Sequence, residues 1–112
     1  MTDIEKAMQK RDIEAIANHY RTLQFDKTIE ELEELREAIE DYKESGFISI
    51  SRKEHIIEEI ADVELMTEQL KYLLEGKNKA EEIKAYKIKR TLGRIQAAMP
   101  PDETNKPDGI TK

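Results

Sequence analysis

Glycine and proline divide this chain into a few long uninterrupted segments. The 112 residues contain four Gly and three Pro, and residues 1–45 contain neither. Glycine commonly follows the last turn of a helix, and proline cannot continue one. We therefore predict helices that end near Gly46, Gly76 and Pro100. Aromatic residues make up only 5% of the chain, which argues against a β-sandwich, a class rich in aromatic residues, β-branched residues and turns.

Capping residues mark where the helices begin. Thr2 with Glu5, and Ser51 with Glu54, have the spacing of a capping box, in which two side chains satisfy free backbone N–H groups. Asn78 is a favoured N-cap residue at the start of the last segment. With the caps included, the predicted helices cover about residues 2–20, 26–44, 51–75 and 78–99.

The length of the chain suits one domain. We predict an all-α fold, an oligomeric four-helix bundle formed by residues 1–99. Residues 100–112 are polar and include Pro107 and Gly109, and this composition predicts a disordered tail.

Composition excludes several classes of protein. The chain has no Cys, and therefore no disulfide framework, thiolate nucleophile or Cys-based zinc site. No apolar segment approaches the length of a membrane span, and the first residues lack the apolar core of a signal peptide, so we expect a cytoplasmic location and no membrane partner. The formal net charge of −6 argues against duplex DNA as the main partner. A small anionic ligand can still be held through a metal ion.

The second predicted helix carries an acid inside its apolar surface. At about 100° per residue, Glu31 falls between Tyr42 and Ala38, and Glu34 lies about 60° further round, at the margin. The residues that form this predicted core arc are Ile29, Leu32, Leu35, Ala38, Ile39 and Tyr42.

The third predicted helix repeats this arrangement. Glu59 falls between Leu70 and Met66, and Asp62 lies about 60° further round. Each helix therefore presents an embedded acid and a second acid three residues later on the same side. If the two helices pack antiparallel, four carboxylates meet at one place.

Such a carboxylate cluster favours a bound divalent cation. Unpaired carboxylates in an apolar setting are costly and repel one another, and a cation removes both penalties. Oxygen ligands alone favour Mg²⁺ or Mn²⁺ over zinc. Iron is disfavoured because di-iron bundles use Glu-x-x-His, whereas the residue three after each embedded acid is Glu34 or Asp62. A solvated helix face is the commoner explanation of a single acid pair, and the match between two helices is what favours a site.

The segments that carry these acids resemble a known family. Ile29-Glu30-Glu31-Leu32-Glu33-Glu34-Leu35 and Glu59-Ile60-Ala61-Asp62-Val63, with 24 residues between Glu34 and Glu59, resemble the paired signature of the MazG-like all-α nucleoside triphosphate pyrophosphohydrolases, in particular the short phage and prophage members. The resemblance covers roughly residues 25–75, and the segment Tyr86-Lys87-Ile88-Lys89-Arg90 is similar to the basic helix that follows in such proteins. Two positions depart from the pattern, since Ala61 stands where many members have Gly, and Glu33 where small or apolar residues are frequent.

This resemblance implies an activity and a ligand set. It implies that Glu31, Glu34, Glu59 and Asp62 bind Mg²⁺, with Mn²⁺ as a possible substitute. It also implies hydrolysis of a (d)NTP substrate between the α and β phosphates, which gives the monophosphate and pyrophosphate and clears unwanted nucleotides from the pool.

Metal-assisted hydrolysis requires a base and cations beside the metal. The base could be Glu30, Glu34 or Glu58, and the sequence does not choose among them. For the cations of the last helix, stabilisation of the helix dipole and solubility are an equally good explanation. The cations expected to bind the rest of the triphosphate are Lys27, Lys87, Arg90 and Arg94.

The third predicted helix has a second apolar side, formed by Ala61, Leu65 and Tyr72. A helix with two apolar sides needs two packing partners. We therefore predict a homo-oligomer, a homodimer or homotetramer, with this helix near the symmetry axis. The resemblance implies the same, since these enzymes generally work as dimers or tetramers.

Two other functions remain open. The chain could be a non-catalytic helical bundle that recognises partners through its charged faces, or a degenerate family member that binds nucleotide without turnover. The burial of Glu31 and Glu59 discriminates among these functions, and if all four acids point to solvent, the enzyme hypothesis fails. Pyrophosphate release separates an active enzyme from a degenerate one.

Overall fold

The computed structural model describes residues 1–99, and in this part of the chain every regular element is a helix. The four helices are α1 (Asp3–Tyr20), α2 (Leu23–Glu44), α3 (Ile50–Leu73) and α4 (Lys77–Ala98). The predicted all-α class and the predicted number of helices are confirmed. None of these four helices is long and apolar enough to span a membrane. The predicted disordered tail, residues 100–112, lies outside the described residues.

Two compact units make up the chain. The first, residues 1–77, contains α1, α2 and α3, and the second begins at Asn78 and contains nearly all of α4. Within the first unit the three helices pack on one another as in a bundle. Within the second unit no residue of α4 is buried.

Side chains next to the helix ends determine where α1 and α3 begin. At α1, Thr2 Oγ1 accepts the backbone N–H of Glu5 at 3.1 Å, and the Glu5 carboxylate accepts the backbone N–H of Thr2 at 2.8 Å. The capping box predicted there is confirmed. At α3, Ser49 Oγ accepts the backbone N–H of Arg52 at 3.3 Å. The capping box predicted at Ser51 is therefore wrong, because Ser51 already lies inside the helix.

α2 and α3 lie side by side and run antiparallel. A short turn connects them, in which Gly46 has a φ of 77°, a left-handed conformation that glycine adopts without strain. At one end of the pair, Arg52 Nη1 donates to the backbone oxygen of Asp41 at 3.0 Å. At the other end, Gln24 Nε2 donates to Met66 Sδ at 3.0 Å. The start of α2 therefore faces the later part of α3, the arrangement that convergence of the acids requires.

α1 packs mainly against α3, and the end of α1 also touches the start of α2. Asn18 Nδ2 donates to Tyr72 Oη at 3.0 Å, and the Lys27 ammonium lies 4.8 Å from the centroid of the Tyr20 ring. α3 therefore has neighbouring helices on two sides within one chain. Part of the second apolar side that we assigned to a partner copy, at Tyr72, is occupied by α1, while Leu65 on that side stays 47% exposed.

The interior of the first unit is small and largely polar. Glutamine and glutamate side chains lie between the helices, where an ordinary bundle has leucine and isoleucine. The buried residues in the described part of the chain are Ala17, Gln24, Thr28, Ala38, Glu59 and Gln69.

The predicted core arc of α2 is wrong at one edge, because the apolar residues there are exposed. Ile29, Leu32 and Ile39 are 60%, 46% and 41% exposed, although the helical wheel places them in the core. The other edge of the arc, where Ala38 is buried and Glu31 half-buried, faces α3. A helical wheel shows where apolar residues gather, and it cannot show which edge a neighbouring helix covers.

The exposed apolar residues of α2 continue onto α3. Leu32 lies about 140° round α2 from Lys27, and Ile60 about 120° round α3 from Tyr72, so both lie away from the sides that contact α1. In an antiparallel pair these two directions fall on the same side of the pair. We call this surface the apolar face. Its members are Phe25, Ile29, Leu32, Ile39 and Ile60, all at least 41% exposed.

Candidate metal centre

Three carboxyl groups meet where α2 and α3 face each other. Glu31 and Glu34 lie one turn apart on the same side of α2, and Glu59 approaches from α3. One carboxylate oxygen of each residue lies within 4.8 Å of the other two. The predicted convergence of acids from the two helices therefore occurs for these three residues.

The cluster has a closed side and an open side. Glu59 is only 6% exposed, Glu31 is half-buried and Glu34 is exposed. A cation would therefore reach the buried carboxylate past Glu34. Because Glu59 is buried and Glu31 is half-buried, the four acids do not all point to solvent, the arrangement that would exclude the enzyme hypothesis.

Asp62, the fourth predicted ligand, adjoins the cluster. It lies one turn after Glu59 on α3, is half-buried, and interacts electrostatically with both Glu31 and Glu59. It is not among the three residues whose oxygens lie within 4.8 Å of one another. Asp62 therefore stands beside the group, where it adds negative charge.

Burial and mutual repulsion change the acidity of the cluster. Burial raises the pKa of Glu59 above its ordinary value of 4.5, and hydrogen bonding to Asp62 and Glu34 raises it further. Burial also raises the pKa of Glu31, as do the charges of Glu34 and Asp62, while the Lys27 cation opposes them. Without a cation, Glu31 and Glu59 therefore keep their protons to a higher pH than an exposed carboxyl does.

These pKa shifts predict a pH dependence of stability in EDTA. The folded state binds protons at Glu31 and Glu59 more tightly than the unfolded state does. Their contribution to stability is therefore complete below about pH 4.5, the ordinary pKa, and is lost as the pH rises through the raised values. Urea unfolding from about pH 4.5 to neutrality should show this loss. Glu59→Gln, which keeps a neutral side chain there, should make the loss smaller, and an unchanged slope would contradict the assignment.

The donor set fits a hard divalent cation. The oxygens of Glu31, Glu34 and Glu59 come from carboxyl groups alone, and magnesium, manganese and calcium prefer such ligands. Exposed acidic groups also occur without any ion. The buried carboxylate of Glu59 is the stronger indication, because an ionised group at such a position requires a compensating charge.

The other predicted site residues divide between the two units. Glu30 and Glu58 are exposed neighbours of the cluster residues along α2 and α3, and the charge of Glu30 acts on Glu31. Lys27 lies one turn before Glu31. Seven of the 22 residues of α4 are Lys or Arg. The predicted phosphate-binding residues among them, all exposed, are Lys87, Arg90 and Arg94.

Sequence reasoning missed the polar residues that are buried in the first unit together with Glu59. Gln24 and Gln69 are almost fully buried, and within residues 1–99 their side-chain carbonyl oxygens have no hydrogen-bond partner. Thr28 is buried and donates its hydroxyl to the backbone oxygen of Gln24 at 2.7 Å. Gln24 lies seven residues before Glu31, and Gln69 seven residues after Asp62. That spacing of two helical turns is the signal that could have placed them on the faces of the acids.

Comparisons with protein-family models, with curated proteins and with solved structures found no match to this chain. The resemblance described above therefore rests on the residues of the chain alone.

Proposed function

We propose that this chain is a Mg²⁺-dependent nucleoside triphosphate pyrophosphohydrolase of the MazG-like all-α type, active in the cytoplasm on unwanted nucleotides. The observation that carries the proposal is the position of Glu59, a buried acid that faces Glu31 and Glu34 across two antiparallel helices. The proximity of the Glu-x-x-Glu motif of α2 to the first residue of the Glu-x-x-Asp motif of α3 supports the proposal.

The residues of the cluster have distinct parts in this proposal. Glu31, Glu34 and Glu59 would hold the cation, with Asp62 next to them. When bound, Mg²⁺ supplies neutralisation of phosphate charge and activation of a water molecule. The candidates for the base that takes the proton of this water remain Glu30, Glu34 and Glu58. Each lies on the same helices as the cluster.

Cations complete the site in this proposal. Lys27, one turn before Glu31, is the positive charge that acts on the cluster from within the first unit. For the second unit, phosphate binding by Lys87, Arg90 and Arg94 of α4 stays a prediction from the sequence.

The test is an assay of the full-length chain with each common (d)NTP in Mg²⁺ and in EDTA. We expect at least one nucleotide to give its monophosphate and pyrophosphate, in Mg²⁺ only. Release of orthophosphate would contradict the proposal. Tight Mg²⁺ and nucleotide binding without turnover would instead identify a degenerate family member, and the absence of both would favour an interaction protein.

We further propose that a second copy of the chain covers the apolar face. Large exposed apolar surfaces on small proteins mark interaction sites, and the first unit buries only Ala17 and Ala38 among its hydrophobic residues. Arg36 lies among the apolar residues, but its charge is balanced by Glu33 at 3.3 Å and Glu40 at 3.0 Å. A two-fold axis on this face would place like apolar residues of two copies in contact.

This assembly predicts the effect of a charge on the apolar face. Light scattering should give at least twice 13.1 kDa for the unchanged chain. Leu32→Glu should lower the mass, because it places a carboxylate in the contact. Ile4→Glu is the matched control, since Ile4 is exposed on α1, outside the face. A monomer at tens of micromolar, or equal effects of the two substitutions, would contradict the assembly and leave the metal site untouched.

A further inference from the structure

Lys27 is held by an aromatic ring beside the acid cluster. It lies one turn before Glu31 on α2, and its charge acts on that residue. Its ammonium nitrogen lies 4.8 Å from the centroid of the Tyr20 ring, within the range of a cation–π interaction. Both side chains are half-buried. The ring therefore belongs to the surroundings of the candidate metal centre, although it lies on a different helix.

Tyr20 and the turn that carries it make contacts that do not involve Lys27. Tyr20 is the last residue of α1, and its ring meets the His19 ring edge to face at 4.9 Å. The following residue, Arg21, has a φ of 50° and donates its backbone N–H to the oxygen of Ala17 at 2.8 Å. Asn18 ties the same turn to α3 through its hydrogen bond to Tyr72. These contacts determine the backbone at the end of α1, from which the Tyr20 ring projects.

The carboxylates of the acid cluster are alternative partners for the Lys27 ammonium. A free lysine side chain is mobile, and Glu31, on which the charge of Lys27 acts, is one turn away. Within the described residues Lys27 makes no ion pair with Glu31 or Glu34 at 4.0 Å or less, and its close polar contact is the ring. Lys27 therefore does not neutralise the Glu31 and Glu34 carboxylates by direct contact.

We propose that Tyr20 is a positioning residue, whose ring holds the Lys27 ammonium at the edge of the acid cluster, where it binds a phosphate oxygen of a metal-bound polyphosphate. This inference rests on the proposed function for the identity of the anion. One consequence is that this ring does not stack on a nucleobase through the face that Lys27 covers.

The test measures binding of inorganic tripolyphosphate in Mg²⁺ by calorimetry. Tyr20→Leu should weaken binding about two- to five-fold, the range expected for loss of one cation–π contact. Tyr20→Phe keeps the ring and should bind like the unchanged chain. Lys27→Met should weaken binding at least as much as Tyr20→Leu, and adding Tyr20→Leu to Lys27→Met should have no further effect.

Each other result overturns the proposal. Equal losses in Tyr20→Leu and Tyr20→Phe would show that the hydroxyl, not the ring face, matters. A loss from Tyr20→Leu that persists in the Lys27→Met background would show a structural effect on α1. If tripolyphosphate does not bind, or if Lys27→Met binds it as the unchanged chain does, the Lys27 ammonium does not bind the phosphate.

The outcomes also separate this proposal from the proposed function. If pyrophosphate is released but Tyr20 and Lys27 act independently, the proposed enzyme activity is supported and the positioning role of Tyr20 is contradicted. If no nucleotide is hydrolysed but the two residues are coupled in tripolyphosphate binding, the positioning role of Tyr20 is supported and the proposed reaction is contradicted. With an active enzyme, Tyr20→Leu should raise KM and leave kcat nearly unchanged, because Lys27 contributes to binding.

Discussion

Replacement of Glu59 by Gln is expected to lower the rate of pyrophosphate release by about 100-fold or more, while the chain stays folded. Loss of groups that merely support a metal ligand costs about 10- to 100-fold, and loss of the ligand itself should cost at least as much. The substitution keeps the shape of a side chain that is 6% exposed and removes its charge. The measurement is the steady-state rate with the best nucleotide in Mg²⁺, together with circular dichroism for the fold.

Asp62→Asn extends the same test to the residue beside the cluster, and it should also lose most of the activity. Glu64→Gln is the matched control, because Glu64 is an exposed acid on the same helix, outside the cluster. Full activity in both Glu59→Gln and Asp62→Asn would contradict the site. Equal losses in the control would indicate a general effect of charge on α3.

Mg²⁺ is expected to raise the melting temperature of the protein on the order of 10 °C. A ligand at 100 times its dissociation constant adds about 2.7 kcal/mol to the free energy of unfolding when it binds only the folded state. For a domain of about 100 residues, this energy corresponds to a shift of that size. The physical cause is relief of the repulsion among Glu31, Glu34 and Glu59. Thermal melts in Mg²⁺ and in EDTA measure the effect.

Glu31→Gln should separate this mechanism from a general salt effect. It removes one charge from the cluster, so the metal-free protein should melt at a higher temperature, and the response to Mg²⁺ should disappear. Glu37→Gln is the control, since Glu37 is exposed on α2 outside the cluster, and its response to Mg²⁺ should stay intact. A melting temperature that does not depend on Mg²⁺ or EDTA in the unchanged chain would contradict the site.

Local signals in the sequence were sufficient to locate the helices. The helix ends follow from short-range features, such as the capping box at Thr2 and the glycine after α2, and these features act within one turn. The predicted cap at Ser51 failed because Ser49, two residues earlier, offers the same hydroxyl group. Asn78, predicted as a cap, lies inside the first turn of α4.

The acid cluster was predictable for a different reason. Glu31 and Glu59 each interrupt an apolar arc, and the short turn between α2 and α3 makes the two helices antiparallel. The helical periodicity gives the side of each helix on which the acid lies, and the turn brings the two sides together. The exposure of Ile29 and Leu32 was not predictable in this way. Which edge of α2 faces α3 depends on the packing of the whole unit, and here the polar edge, with Gln24 and Thr28, is the covered one.

The polar residues between α2 and α3 also determine how the two helices align along their length. An interface made only of leucine can slide by one turn, about 5.4 Å, and exchange one leucine contact for another. Here such a slide would move Glu59 away from Glu31 and Glu34, and would separate Gln24 from Met66. Single polar residues at inner positions fix the register of helix pairs in coiled coils. Gln24 and Glu59 reduce the apolar content of the interior. We expect the same two side chains to hold α2 and α3 in one register.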